Sequence, residues 1–194
     1  MEGLGEKIGI IAIVLTTLSL GTSPYPIILI LCYIIHESGH LIFAKLVGAK
    51  MRRLKIGALH LSLSYDCECL SYMRELLVQC GGIIFNLASA VFVWLIPILT
   101  GDVWDFFVIC SVSLGLMNLY PVSVLDGGGM LKSMLCIFFT NTTAENVTRI
   151  TSFIFALIMW LFAVYLQIVF SSNLSLFFIS VLLLIELCFS TQGQ

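Results

Sequence analysis

The chain has 194 residues, of which 60% are apolar and 10% charged, with a formal net charge of −2. Soluble globular domains carry roughly 45–50% apolar and about 25% charged residues, so too little polar surface is present to cover a water-soluble particle of this size. The slight negative charge argues against a nucleic-acid partner, and the length fits one domain, residues 1–194, with no second domain.

A membrane-crossing helix needs about 20 mostly apolar residues, and helices are expected because lipid cannot satisfy open backbone groups. Six apolar runs qualify as candidates: residues 8–20, 27–47, 76–99, 103–119, 150–170 and 174–189. The first is short. No small-residue cleavage site follows it, and Gly21-Thr22-Ser23-Pro24 reads as a turn, so it is expected to be retained rather than removed as a signal peptide. Between the second and third runs, Lys50 to Cys69 alternates polar and apolar residues around Gly57, with Leu54, Ile56, Leu59, Leu61 and Leu63 at period two. That spacing predicts a short β-hairpin. Asp126 to Val147 opens on three glycines and reads as a short helix at the membrane surface, ended by Asn141-Thr142-Thr143. The expected fold class is therefore an all-α membrane protein of six transmembrane helices, with a short β-hairpin between the second and third. The seven cysteines form no paired framework, and most lie in apolar runs (Cys32, Cys80, Cys110, Cys136, Cys188), which predicts buried reduced thiols.

Lys7, Lys45, Lys50, Arg52, Arg53, Lys55, Arg74, Lys132 and Arg149 make up all the positive side chains. With six spans they fall on or near one side, and the opposite loops (21–26, 98–102 and 171–173) carry none. The positive-inside rule then places both termini and the hairpin in the cytoplasm.

Within the second apolar run lies His36-Glu37-Ser38-Gly39-His40. Positions i and i+4 share a helix face, so the two imidazoles can bind one zinc ion, and Glu37 beside them can take a proton from the attacking water. This is the H-E-x-x-H metalloprotease pattern. The motif alone is weak evidence. Its setting strengthens it, because ionisable groups at membrane depth cost on the order of a few kcal/mol each and mark functional sites. The competing reading is a satisfied polar cluster that only joins helices.

Catalytic zinc takes three protein ligands and keeps one position open. His60, Asp126, Glu186 and the cysteines are candidates for the third. Asp126 is best placed, just after the fourth run, where Pro121 and the following glycines break the helix and let the backbone fold back. Its structural alternative is a helix N-cap. His60 reads more readily as a polar residue of the hairpin, Glu186 as a snorkelling or interhelical group, and Cys67-Glu68-Cys69 as a C-x-C without partners.

Together these residues resemble the site-2 protease family of intramembrane zinc metalloproteases, over most of the chain. His36-Glu37-Ser38-Gly39-His40 resembles the family's first metal motif. Asn118-Leu119-Tyr120-Pro121 followed by Leu125-Asp126-Gly127-Gly128 resembles its N-x-x-P-x-x-x-L-D-G-G motif, in the form found in the bacterial branch that includes the sporulation protease acting on a membrane-tethered pro-sigma factor. Gly82-Ile83-Ile84-Phe85-Asn86 resembles its G-P-x-x-N element, with Ile83 standing where proline is usual. The resemblance implies His36, His40 and Asp126 as zinc ligands and Glu37 as general base and acid. It also implies that Asn86 and Asn118 hold the oxyanion or the substrate strand; the alternative for each asparagine is an interhelical hydrogen bond. It further implies a membrane-protein substrate met in the lipid bilayer of a bacterial cell membrane, with the site toward the cytoplasm. No PDZ or CBS domain is expected in this length, so a regulatory membrane partner would supply that control. Two rival readings use the same residues: a non-hydrolytic metal-binding membrane protein, such as a transporter or sensor, and an inactive relative that holds a protein without cutting it.

Overall fold

The computed structural model describes residues 24–49, 51–56, 61–65, 71–96 and 98–170, and near the C-terminus 177, 180, 181, 183–185 and 187. The expected 8–20 span, the 57–60 turn with His60, Cys67-Glu68-Cys69, Glu186, Cys188 and most of the 174–189 span lie outside these residues. The chain divides into two compact units, Met1–Leu116 and Met117–Gln194.

In the first unit, helix α1 spans Tyr25–Leu46. Its aliphatic run favours a helix, and Pro26 sits where a missing backbone N–H costs nothing. It stops at Gly48, whose φ of 73° is left-handed. The N–H of Gly48 donates to the Lys45 carbonyl at 3.2 Å and that of Ala49 to the Ala44 carbonyl at 2.9 Å, the paired bonds of a Schellman cap. Strands β1 (Met51–Ile56) and β2 (Leu61–Tyr65) pair antiparallel, with Leu54 opposite Leu63 and Ile56 opposite Leu61. Helix α2 follows over Tyr72–Leu95 and runs without a break through Ile83, so isoleucine in the usual proline position leaves a continuous helix.

The buried stripes of the two helices share one spacing. On α1 they fall at Ile28, Cys32, His36, His40 and Ala44, and on α2 at Val78, Gly82, Asn86 and Ala90. Rows of residues four apart form the ridges by which helices interlock. The helices approach closely because the seam is glycine: a Cβ on Gly39 would strike the Gly81 carbonyl, and one on Gly81 would lie 2.6 Å from the Gly39 carbonyl oxygen. Large apolar side chains face outward instead, among them Ile27, Leu31, Ile34, Val91, Phe92 and Trp94. Helix α3 spans Asp102–Asn118, with the division between units falling near its end. Its Ser111 hydroxyl lies 3.2 Å from the Cys32 thiol of α1, beside an apolar cluster of Ile28, Cys32, Val93 and Phe107.

In the second unit, helix α4 covers Asp126–Phe138 and helix α5 Asn141–Phe170. The turn before α4 is folded onto backbone: a Cβ on Gly127 would meet the Leu119 carbonyl, and one on Gly128 the Val122 carbonyl. Val122 is fully buried against Ala156 and Leu187. The Ser123 N–H donates to the Ser152 hydroxyl at 2.8 Å, and that hydroxyl donates to the Thr148 carbonyl at 2.6 Å.

The structure corrects the expected fold class. Three helices among the described residues, not six, are long and apolar enough to cross a membrane: Tyr25–Leu46, Tyr72–Leu95 and Asn141–Val169. The expected 103–119 span is a helix of 17 residues, which at about 1.5 Å per residue falls short of a hydrocarbon core about 30 Å thick. Of the expected hairpin, the described residues hold the two short paired segments, and the turn between them lies outside those residues. Asn141-Thr142-Thr143 also differs from expectation. It opens α5 instead of ending a surface helix, because the Thr140 carbonyl and hydroxyl accept from the N–H groups of Ala144 (2.9 Å) and Thr143 (3.4 Å) and so cap the new helix.

Candidate metal centre

His36 and His40 lie one helical turn apart on the stripe of α1 that packs against α2. Both are buried, with 3% and 8% of their surface exposed, in a helix whose outer face is apolar. The rings meet edge to face with centroids 4.8 Å apart, and the two Nε2 atoms are 3.1 Å apart. At zinc–nitrogen distances of 2.0–2.1 Å, two ligands of a tetrahedral ion stand about 3.3 Å apart. The pair therefore converges as two ligands of one ion do.

The outer nitrogen of each ring is engaged. Nδ1 of His40 lies 2.8 Å from the Val78 carbonyl oxygen of α2. A carbonyl only accepts, so this Nδ1 carries the hydrogen and Nε2 presents a lone pair, the arrangement common in metal-binding histidines. Nδ1 of His36 lies 3.2 Å from the amide nitrogen of Asn86, a residue with no exposed surface. Gly82 separates these two contacts on α2, and it has to be glycine. A Cβ there would collide with Nε2 of His40 and lie 2.8 Å from Nε2 of His36. The backbone of α2 is thus pressed against the imidazoles, and the Gly81-Gly82 pair admits them. Glu37, also buried, occupies the next position on α1 after His36.

In the second unit, Asp126 is the first residue of α4 and is half-buried. Leu125 before it is extended, with φ −104° and ψ 163°, and the 119–125 turn returns the chain to this point. Asn118 ends α3 and is also half-buried. His36 and His40 offer imidazole nitrogen, and Asp126 offers a carboxylate oxygen, the donor types that a zinc ion takes. Of the other candidate ligands, His60, Glu186 and Cys67-Glu68-Cys69 lie outside the described residues, and Cys32, Cys80, Cys110 and Cys136 form no disulfide. The contacts of Gly82 and Asn86 with the rings depend on the register of α1 against α2, which local motifs do not give.

No curated protein matches the sequence. A family model, Peptidase family M50, matches residues 98–162, a stretch that contains Asn118, Pro121 and Asp126 but neither histidine. Among solved structures, the fold is similar to the site-2 protease from Methanocaldococcus jannaschii, with a TM-score of 0.70 and 18% identity over 95% of this chain and 86% of that one. Apolar helices of membrane-crossing length mark an integral membrane protein, one stretch of it is similar to Peptidase family M50, and its fold is similar to that of the archaeal site-2 protease.

Proposed function

We propose that this chain is a zinc-dependent intramembrane endopeptidase that hydrolyses a peptide bond in or near a transmembrane segment of another membrane protein. The observation that carries the reading is the pair of buried imidazoles whose Nε2 atoms stand 3.1 Å apart within a membrane-length helix, next to a carboxylate. A polar pair at such depth is costly unless it is used. The family model points to the same chemistry.

In this reading His36, His40 and Asp126 hold one zinc ion, and Glu37 is the general base and acid. Zinc bound there supplies a Lewis acid that acidifies water to a pKa near about 7 and polarises the scissile carbonyl. Glu37 takes the proton released as water attacks and returns it to the departing amine nitrogen. Asn118, an amide at the end of α3, is assigned to steadying the oxyanion or the substrate strand. The substrate helix must unwind first, because a helix hides its carbonyls from attack. The reading takes the site to open toward the cytoplasm of a bacterial cell, as the resemblance implies. Regulation by a separate membrane partner is the expected form of control.

The test is Glu37→Gln, assayed for zinc content and for cleavage of a co-expressed membrane substrate. The variant should keep its zinc and lose cleavage by about 10²–10⁴-fold, the usual worth of a positioned acid–base group. Undiminished cleavage would end the protease reading. Wild-type protein purified without bound metal would end the metal reading.

A further inference from the structure

Asn86 lies at the centre of the α1–α2 seam with none of its surface exposed. Its amide nitrogen is 3.2 Å from Nδ1 of His36, and its amide oxygen, also buried, has no hydrogen-bond partner among the described residues. A buried acceptor left unmade costs about 1–3 kcal/mol. The two ends of an asparagine amide have almost the same shape, so exchanging them by a half-turn changes only the hydrogen bonding.

The two orientations differ in consequence. With the NH2 group toward His36, Nδ1 must accept, which puts the ring hydrogen on Nε2. That hydrogen then points at Nε2 of His40, 3.1 Å away, and blocks the nitrogen from an ion. With the oxygen toward His36, Nδ1–H donates to it, the NH2 group takes the oxygen's former place, and Nε2 of His36 carries the ring lone pair. Both Nε2 atoms then present lone pairs to one point, since His40 is already fixed in that form by the Val78 carbonyl.

We infer that Asn86 is a positioning residue whose amide oxygen accepts from Nδ1 of His36 and so makes its Nε2 available to the metal. The inference rests on the zinc reading above and gives Asn86 a task other than holding the oxyanion. Val78 and Asn86, two turns apart on α2, then do the same work for the two histidines, one with a backbone carbonyl and one with a side-chain carbonyl.

Zinc affinity of the full chain in detergent, measured by chelator competition, tests this with two substitutions. Asn86→Leu removes the acceptor and should weaken zinc by roughly 10–100-fold, the usual effect of losing such an outer partner. Asn86→Asp keeps an acceptor and has no donor, so it should bind zinc at least as tightly as the wild type. Wild-type affinity in Asn86→Leu would overturn the inference and leave the amide to the substrate. Weak binding in Asn86→Asp, matching Asn86→Leu, would overturn it as well. If Asn86→Leu does not fold, the wild-type and Asn86→Asp affinities decide it alone. Failure of the wild type to take up zinc would instead sink the zinc reading on which the inference stands.

Discussion

Glycine does opposite jobs in the two units. Along the α1–α2 seam Gly82 makes room for side chains, lying under two imidazoles, while Gly39 and Gly81 let the two helix backbones close. Before α4 glycine makes room for backbone, with Gly127 and Gly128 pressed against the carbonyls of Leu119 and Val122. Crowding in the first region should be felt by the metal ligands, and crowding in the second by the fold of the turn. The two kinds of damage are separable by experiment.

Gly82→Ala should have the largest effect on zinc. Alanine is the better helix former by about 1 kcal/mol, so helix propensity favours the substitution, and a loss must come from the collision with the rings. Zinc affinity should fall by more than the roughly 100-fold expected from losing an outer partner, because the ligand nitrogens themselves are displaced. Chelator competition checks this, and unchanged affinity would break the account of the seam. Gly128→Ala comes next. Its Cβ would meet the backbone of Val122 and Ser123, which cannot swing aside as a side chain does. Thermal unfolding in detergent should show a loss of about 1–3 kcal/mol, the usual cost of overpacking. The smallest effect belongs to Ser152→Ala, which removes the hydroxyl that accepts from the Ser123 N–H and donates to the Thr148 carbonyl. Ser123 is exposed, so water can take over its N–H, and the same unfolding assay should register about 1 kcal/mol. A larger loss from Ser152→Ala than from Gly128→Ala would mean that side-chain bonding, and not backbone contact, holds the turn.

The pairing of His36 with His40 was legible because a helix repeats every 3.6 residues and the motif lies inside an apolar run. The break before Asp126 was legible in Pro121 and the glycines. The number of spans was not, because apolar composition shows that a segment avoids water and not how far it reaches. The 103–119 run satisfied that criterion, yet at 17 residues, the length of its helix Asp102–Asn118, it is shorter than the segments that qualify as spans. The role of Asn141-Thr142-Thr143 was not legible either, for a related reason. Polar residues of this kind cap a helix start as readily as they mark an end, and the Thr140 carbonyl and hydroxyl decide the matter locally. The contact of Asn86 with His36 was illegible, since it joins residues 50 positions apart through helix register.

The shortness of α3 has a consequence for the surrounding lipid. An apolar helix of 17 residues extends about 26 Å, some 4 Å less than a typical hydrocarbon core. Were α3 to cross the bilayer, acyl chains beside it would have to compress or disorder to keep its ends, Asp102 and Asn118, wetted, at a cost of fractions of a kcal/mol per ångström of mismatch. Thinning of that kind would shorten the distance over which water, and under the protease reading a peptide losing its helical hydrogen bonds, is carried into an oily interior.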